Sequence, residues 1–505
     1  MTTLSLAAVL AEPARRTPDK IALIQDGQRF SYADLWRDAL ACATALRERG
    51  ATDGDRYALL APNVADFVRG YFGILAAGGV VVPIPTLLVG GEIAALLQQS
   101  GAVALLHHES LAPVAKTASA NSGVPALQIG TDTTPTGPLL PGAVPRQAED
   151  TAVVFFTSGT TGRPKGALLT HLNLVLNATT NAIDSLELRR DDVVMGCLPL
   201  FHTFGQTVAM NATFRMGATL VLQPRFDAGA AIELMVEQNA THFCGVPTMY
   251  LALSEAAAGA ERLPRLRTCV SGGAALPVAA LERFESLFDA TIFEGYGLSE
   301  TSPTATVNQS FRGPRAGTIG HPLWGIEVEI AHAGLEDRVE LLARGEVGEI
   351  VIRGHNVFAG YLDDPAATQL AMVDGWFRTG DIGQIDDEGY ISIVDRKKDL
   401  IIRGGFNVYP REVEEVLATH PQVGQVAVVG LPDPVRGEEI CAVVVPLPGV
   451  PAPDPDQLIA WASQRLGKHK YPRRVEVVEL LPLGPSHKVL KRALRDQLIA
   501  APLAG

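Results

Sequence analysis

Val153-Val154-Phe155-Phe156-Thr157-Ser158-Gly159-Thr160-Thr161-Gly162-Arg163-Pro164-Lys165-Gly166 decides how the chain is read. The first four residues are a continuous apolar run, the mark of a buried strand. The run breaks into hydroxyl-bearing residues and glycines, then Pro164 and Lys165. Glycine lets a backbone approach a bulky anion and adopt φ > 0. Successive backbone N–H groups with Ser and Thr hydroxyls make a concave donor surface for phosphate. Lys165 adds a mobile point charge. The string is not a Walker A loop, because G-x-x-x-x-G-K-[ST] does not fit it. A Gly/Thr-rich surface hairpin has a similar composition, so the loop is weighed with the rest of the chain.

At 505 residues the chain is too long for one ordinary core. A hydrophobic content of 47% and a charged content of 19% belong to a folded globular protein. The net charge of −13 argues against a nucleic-acid partner, and any polyanionic ligand must be met by local positive charge. Five cysteines (Cys42, Cys197, Cys244, Cys269, Cys441) are scattered without a C-x-x-C pair. That spacing argues against a disulfide framework and against zinc, and suits a reducing cytoplasm. The apolar patch at residues 4–10 has no basic residue before it and is followed by Glu12, Arg15 and Arg16, so it does not read as a signal peptide. Residues 73–85, the most apolar stretch, are too few to span a bilayer. The expectation is a soluble cytoplasmic protein, not integral to a membrane, as a monomer or homodimer.

Residues 1–150 alternate helical patterns with short apolar runs. Residues 21–24 read as a strand, Asp26-Gly27 as a turn and 29–31 as the return. Ser31 is a natural N-cap for a helix over 32–49. Strands at 57–60 and 80–83 flank a helix at 64–77. Such alternation implies parallel sheets covered on both faces. Residues 126–145 read as a Pro/Thr/Gly-rich surface loop. Beyond the phosphate-type loop, Thr170 caps a helix over 171–182, and further βα units follow: strands at 193–195, 219–222 and 241–245, with a helix at 230–238. Residues 268–275 and 291–301 are strands that run into small-residue turns. From Glu327 the pattern changes to short strands at 328–330, 348–352 and 376–378, which suggests an antiparallel barrel or sheet. A charged linker, Asp395-Arg396-Lys397-Lys398-Asp399, precedes about one hundred residues of mixed α/β pattern. These predict helices at 410–419 and 456–466 and strands at 426–429 and 441–445. No tandem repeat is visible. The expected organisation is a large N-terminal domain over 1–397 and a small C-terminal α+β domain over 398–505.

Several further strings carry chemistry. In Glu294-Gly295-Tyr296-Gly297-Leu298-Ser299-Glu300, a Tyr held between glycines can lay its ring on a purine, a contact worth roughly 1–3 kcal/mol in nucleic-acid cases. Glu300 is a hard oxygen ligand suited to Mg²⁺. In Arg378-Thr379-Gly380-Asp381, the carboxylate can accept hydrogen bonds from a ribose diol. Gly404 and Gly405 carry no side chain, so a narrow ligand arm can pass them. In Leu198-Pro199-Leu200-Phe201-His202-Thr203-Phe204-Gly205, proline and aromatics would wall an apolar slot, and His202 would gate it or orient a carboxylate. A His beside aromatics is also a common core residue. Val246-Pro247-Thr248-Met249 and Gly272-Gly273-Ala274 are placed to complete such a pocket, small residues leaving depth for a chain or ring.

Together, in this order from Phe30 to Lys488, these strings resemble the adenylate-forming family. That family contains acyl-CoA synthetases, aryl-CoA ligases, luciferases and peptide-synthetase adenylation domains. The resemblance implies the family's fold: two α/β lobes plus a small β-barrel, followed by a mobile C-terminal domain hinged at Lys398. It implies ATP, Mg²⁺ and coenzyme A as cofactor and co-substrates, with a small carboxylic acid. It assigns the nucleotide to Thr157, Ser158, Gly159, Thr160, Thr161, Gly162, Lys165, Gly273, Glu294, Gly295, Tyr296, Gly297, Ser299, Asp381, Arg396 and Lys488. It assigns the metal to Thr157 and Glu300, and catalysis to Lys488, Glu300, His202 and Lys165. The acid falls to His202, Phe204, Val246, Gly272, Gly273, Ala274, Gly295 and Val307. Arg225, Gly404 and Gly405 fall to coenzyme A, the two glycines admitting pantetheine.

Two positions depart from the family pattern. Ser299 stands where Thr is usual and keeps the hydroxyl. His487 stands where a Gly commonly precedes the catalytic Lys. If that Gly serves a positive φ, His487 must adopt αL, where His is only moderately enriched. The implied activity is ATP-dependent conversion of a medium- or long-chain fatty acid to acyl-AMP and then to acyl-CoA. An aryl acid of the cinnamate or benzoate type is the first rival, and loading of a carrier-protein thiol is another. Carrier-loading relatives carry an extra segment, and the compact run 348–396 disfavours that rival. A non-catalytic nucleotide- or acyl-binding protein is the rival from another class. A dicarboxylate is disfavoured, because malonate-using relatives place an Arg where Gly295 stands.

Overall fold

Ser31 begins the first long helix as its residue type predicts. Residues 3–157, 164–447, 449–482 and 489–500 are described in a computed structural model, and every structural statement below refers to them. The Ser31 hydroxyl accepts from the Asp34 N–H, and the Asp34 carboxylate accepts from the Ser31 N–H, both at 3.1 Å. This reciprocal capping box opens the helix Tyr32–Glu48. The strands Ile21–Gln25 and Gln28–Ser31 pair antiparallel across the expected Asp26-Gly27 turn.

The chain divides into two compact units, Met1–Val328 with Ile352–Phe377, and Glu329–Val351 with Arg378–Gly505. The first holds two large sheets. One has seven strands in the order Gly360–Tyr361, Lys165–Thr170, Thr151–Thr157, Val80–Pro83, Arg56–Leu60, Ala104–His107, Ala126–Gln128. The other has nine, from His321–Pro322 through Thr304–Val307, Thr291–Gly297, Thr268–Ser271, His242–Gly245, Val193–Gly196, Thr219–Leu222 and Ile21–Gln25 to Gln28–Ser31. Pairing is parallel from Thr151–Thr157 to Ala126–Gln128 in the first sheet and from Thr291–Gly297 to Ile21–Gln25 in the second. Val80–Pro83, Thr219–Leu222 and Thr268–Ser271 are buried at every position, as strands covered on both faces must be.

Three features depart from the sequence reading. Beyond the expected hairpin, both sheets end in antiparallel pairs, Thr304–Val307 with His321–Pro322 in one and Lys165–Thr170 with Gly360–Tyr361 in the other, where strand–helix alternation implies parallel sheets. Residues 165–170, which Pro164, Lys165 and Gly166 disguise as loop, form a strand that returns along Thr151–Thr157. The loop expected at 126–145 begins with a short strand, Ala126–Gln128, parallel to Ala104–His107. In each case the neighbouring strand decides the pairing, and local propensity does not.

In the second unit, five strands form one sheet: Ile401–Arg403, Phe406–Val408, Val423–Asp433, Gly437–Pro446 and Arg474–Val477. Alternate residues of Gly437–Pro446 face opposite sides. Ile440, Ala442 and Val444 pack with Val413, Leu417, Leu458 and Ala462 from the helices Pro410–Ala418 and Pro455–Ser463. Cys441 and Val443 pack with Leu494 of the helix Lys491–Ala500. The five cysteines are free and buried. No helix among the described residues is long and apolar enough to cross a membrane.

Ser31→Ala removes the capping oxygen and is expected to cost about 1 kcal/mol, read as a lower urea midpoint, while Ser31→Asp restores most of it. Equal midpoints for Ser31→Ala and wild type would show that the cap contributes nothing.

Candidate active site

The return strand fixes the ends of the glycine- and hydroxyl-rich loop. Thr157 lies opposite Lys165, and the Thr157 hydroxyl donates to the Lys165 carbonyl at 3.4 Å. Ser158, Gly159, Thr160, Thr161 and Gly162 lie outside the described residues, as do His487 and Lys488. On the other side of the return strand, Tyr361 lies opposite Ala167. The Lys165 ammonium sits over the Tyr361 ring, 5.2 Å from its centroid. The Tyr361 hydroxyl donates to Glu300 Oε1 at 2.9 Å.

Glu300 is 8% exposed and lies in the short turn Ser299–Thr301 after the strand Thr291–Gly297. Burial raises its pKa, because a desolvated carboxylate resists ionisation. Hydrogen bonds from a backbone N–H, Tyr361 and Thr157, with the charge of Lys165, oppose that rise. Burial and the Glu300 charge also hold the Tyr361 proton firmly in place. Thr157, Lys165 and Glu300 are thus brought together, with Tyr361 at the centre. Glu300 and Thr157 offer hard oxygens, and no cluster of three or more His, Cys, Asp or Glu among the described residues could cage a metal. That donor set suits Mg²⁺, which keeps few protein ligands and takes the rest from phosphate and water.

Three asparagines spaced four residues apart hold the turns of this cluster. Asn173 Nδ2 donates to the carbonyls of His355 at 2.6 Å and Val357 at 3.0 Å. Asn177 Nδ2 donates to the Thr304 carbonyl at 2.8 Å, and its Oδ1 accepts from the Thr304 N–H at 3.2 Å. Asn181 Nδ2 donates to Asn177 Oδ1 at 3.0 Å. Residues i, i+4 and i+8 share one helix face, so one side of His171–Thr180 and its continuation grips both backbone segments. The Phe358 N–H donates to the Glu300 carbonyl at 2.9 Å, and the Ser302 hydroxyl to the Asn356 carbonyl at 2.8 Å. Sequence reasoning missed Tyr361 and these asparagines. The Asn173-x-x-x-Asn177-x-x-x-Asn181 spacing was the available signal.

Gly295 pairs with Val307 and Tyr296 with Thr306. The Glu294 carboxylate accepts from the backbone N–H groups of Leu276 at 3.2 Å and Gly317 at 3.3 Å, so it braces the turn after Ser271. A Cβ on Gly272 would lie 3.2 Å from the Phe204 ring and 3.4 Å from the Gly295 carbonyl, and one on Gly295 would lie 3.4 Å from Val307 Cγ2. Phe204, Gly272, Gly295 and Val307 therefore converge. The space that Gly272 leaves is occupied by the Phe204 ring, so Gly272 provides close approach where depth was expected.

His202 sits in the turn that enters the π-helical segment Phe204–Asn211, and its Nδ1 accepts from the Phe204 N–H at 3.3 Å. Asn63, another residue the sequence did not flag, clasps this loop. Its Nδ2 donates to the Leu198 carbonyl at 2.7 Å and its Oδ1 accepts from the Leu200 N–H at 2.9 Å. Val246 precedes the helix Pro247–Ala256, while Gly273, Ala274 and Arg225 are exposed.

In the second unit, Asp381 and Arg396 face each other across an antiparallel pair, with Arg396 Nε 3.2 Å from Asp381 Oδ1. Buried Glu349 braces the strand Trp376–Ile385 just before Asp381, accepting from Arg378 Nε at 3.1 Å and from the Gly380 N–H at 3.1 Å. The Asp395 carboxylate accepts from the N–H groups of Arg396 at 2.7 Å and Arg411 at 2.9 Å. Burial still raises its pKa. Lys398 is exposed in the turn that follows. Gly404 and Gly405 have φ of +58° and +83° and join Ile401–Arg403 to Phe406–Val408, with Arg403 opposite Phe406. A two-residue turn with both φ positive demands glycine-like residues, so the hairpin alone accounts for this pair.

Comparison with known proteins places this geometry. The profile of the AMP-binding enzyme family matches residues 10–362, and that of the AMP-binding enzyme C-terminal domain matches 412–488. The long-chain-fatty-acid–CoA ligase of Bacillus subtilis (strain 168) is 34% identical, over 98% of this chain and 94% of that one. A feruloyl-CoA synthase of Amycolatopsis sp is 36% identical, over 95% and 96%. The structure of ATP-bound MatB from Rhodopseudomonas palustris matches with a TM-score of 0.90 at 32% identity, over 98% and 99%. With its Glu300–Lys165 cluster, its large N-terminal and small C-terminal domains, and matches of this extent, the chain belongs to the AMP-binding enzyme family, within the adenylate-forming superfamily.

Proposed function

We propose that the protein is an AMP-forming acid–CoA ligase. The acid's carboxylate attacks the α-phosphorus of ATP, the bond to pyrophosphate breaks, and acyl-AMP results. The thiol of coenzyme A then attacks the acyl carbon, loses its proton, and AMP leaves. The observation that carries this reading is the cluster of Thr157, Lys165 and Glu300 around Tyr361. It sets an ammonium and a buried carboxylate beside the ends of a donor-rich loop. Glu300 and Thr157 would hold Mg²⁺, which when bound neutralises charge on the triphosphate. Little covalent protein chemistry is needed, since positioning and charge neutralisation supply the rate. Asp381, ion-paired to Arg396, is suited to accept from the ribose hydroxyls.

The acid is apolar in this reading. Gly295 and Val307 leave no cation where a dicarboxylate would need one, and a medium- or long-chain fatty acid is the first choice. The Phe204 ring against Gly272 favours a second, an aryl acid lying flat along that ring. The two relatives named above act on one class each. Each buried CH₂ is worth about 0.8 kcal/mol, or about fourfold in kcat/KM. A fatty-acid enzyme should therefore gain specificity steadily from C4 through at least C8, and Phe204→Ala should extend the climb. A flat profile rules that reading out, and a sharp preference for cinnamate-type acids selects the aryl one.

Lys488 is assigned to the first half-reaction, where anionic carboxylate and phosphate crowd together. Lys488→Ala should slow acyl-AMP formation by roughly 10²–10³, the usual worth of one preorganised charge, while preformed acyl-AMP and coenzyme A still give thioester at a near wild-type rate. Lys398→Pro, which locks φ near −65° at the assigned hinge, should show the reverse pattern. Acyl-AMP formed normally by Lys488→Ala would show that this lysine is not catalytic, and equal loss in both halves for Lys398→Pro would place the hinge elsewhere.

A further inference from the structure

We propose that Tyr361 is a positioning residue that holds the Glu300 carboxylate and the Lys165 ammonium apart, so that each stays available to a bound nucleotide. The inference rests on the reading of this cluster as a nucleotide site. Tyr361 meets the two charges with different parts of one side chain. Its hydroxyl, at the rim, donates to Glu300 Oε1 at 2.9 Å, and its ring face lies 5.2 Å from the Lys165 ammonium. Lys165 acts on Glu300 through its charge, and its ammonium rests on the Tyr361 ring face. Opposite charges this close in a site of low dielectric attract strongly. Unrestrained, they would collapse into a direct pair. That pair would occupy the lysine's donors and the carboxylate oxygens that the triphosphate and its cation require.

The ring is held firmly enough for this task. Tyr361 lies on an edge strand whose backbone is tied on both sides: the Ala359 N–H donates to the Leu168 carbonyl at 2.9 Å, and the Leu362 N–H to the Gly166 carbonyl at 2.7 Å. The Tyr361 N–H donates to the Thr368 hydroxyl at 2.8 Å. Phe358 packs edge-on against the ring at 4.8 Å. A cation over an aromatic face and a charge-assisted hydrogen bond at its rim are both favourable. The tyrosine thus satisfies both charges without neutralising either.

Tyr361→Phe keeps the ring and deletes the hydroxyl. Calorimetric titration with MgATP, which needs no turnover, should show binding weakened by about tenfold, the usual scale for losing a hydrogen bond to a charged group. The KM for the acid and the melting temperature should stay near wild type. Tyr361→Leu, which removes the ring as well, should bind more weakly still. In a Glu300→Gln background the Tyr361→Phe change should have little further effect, because residues acting through one contact are not additive. Three results would each overturn the proposal: MgATP binding by Tyr361→Phe equal to wild type, an undiminished tenfold loss in the Glu300→Gln background, or a loss of affinity that merely tracks a falling melting temperature and a rising acid KM. A wild type that binds MgATP yet releases no pyrophosphate with any acid would instead overturn the ligase reading and leave this one standing.

Discussion

The antiparallel pairing of Lys165–Thr170 with Thr151–Thr157 is the constraint on which the candidate site depends. It brings Thr157 and Lys165, with seven residues between them in sequence, to opposite positions of one ladder. It also creates a free edge, and Gly360–Tyr361 adds to that edge across almost two hundred residues of sequence. Backbone hydrogen bonds are nearly obligatory in a buried sheet, so the edge fixes where Tyr361 stands. Once Tyr361 is placed, its hydroxyl determines where the Glu300 carboxylate can rest.

Buried polar groups carry much of this architecture. A buried carboxylate without partners is costly, and Glu300 is tolerated because hydroxyls, an N–H and a nearby ammonium compensate it. The turns that present it are held by side-chain amides, Asn173 and Asn177 on one helix face. Asn63 does the same for the loop that bears His202. In the second unit Glu349 holds the strand segment before Asp381. The same device recurs: one buried amide or carboxylate satisfies several backbone groups and so sets a loop with little freedom.

The glycines of the chain act for different reasons, which sequence cannot separate. Gly272 admits the Phe204 ring, and Gly404 with Gly405 makes a tight hairpin. At Gly272 the room expected for a ligand is taken by that ring, while a Cβ at Gly404 or Gly405 would meet nothing within 4 Å. The ring beside Gly272 fills the space that the missing side chain leaves.

By itself the sequence determined the α/β class, most element positions, the large and small domains and the family. Those follow from local quantities: periodicity, caps such as Ser31, and strings of glycine, hydroxyl and charge in a fixed order. Only the tertiary structure decided the rest. The return strand at 165–170, the antiparallel sheet edges, Tyr361 between Lys165 and Glu300, and Phe204 against Gly272 all join residues far apart in the chain. Such contacts leave no periodic trace, because a residue that touches a distant partner has the same neighbours in sequence whether or not it does so.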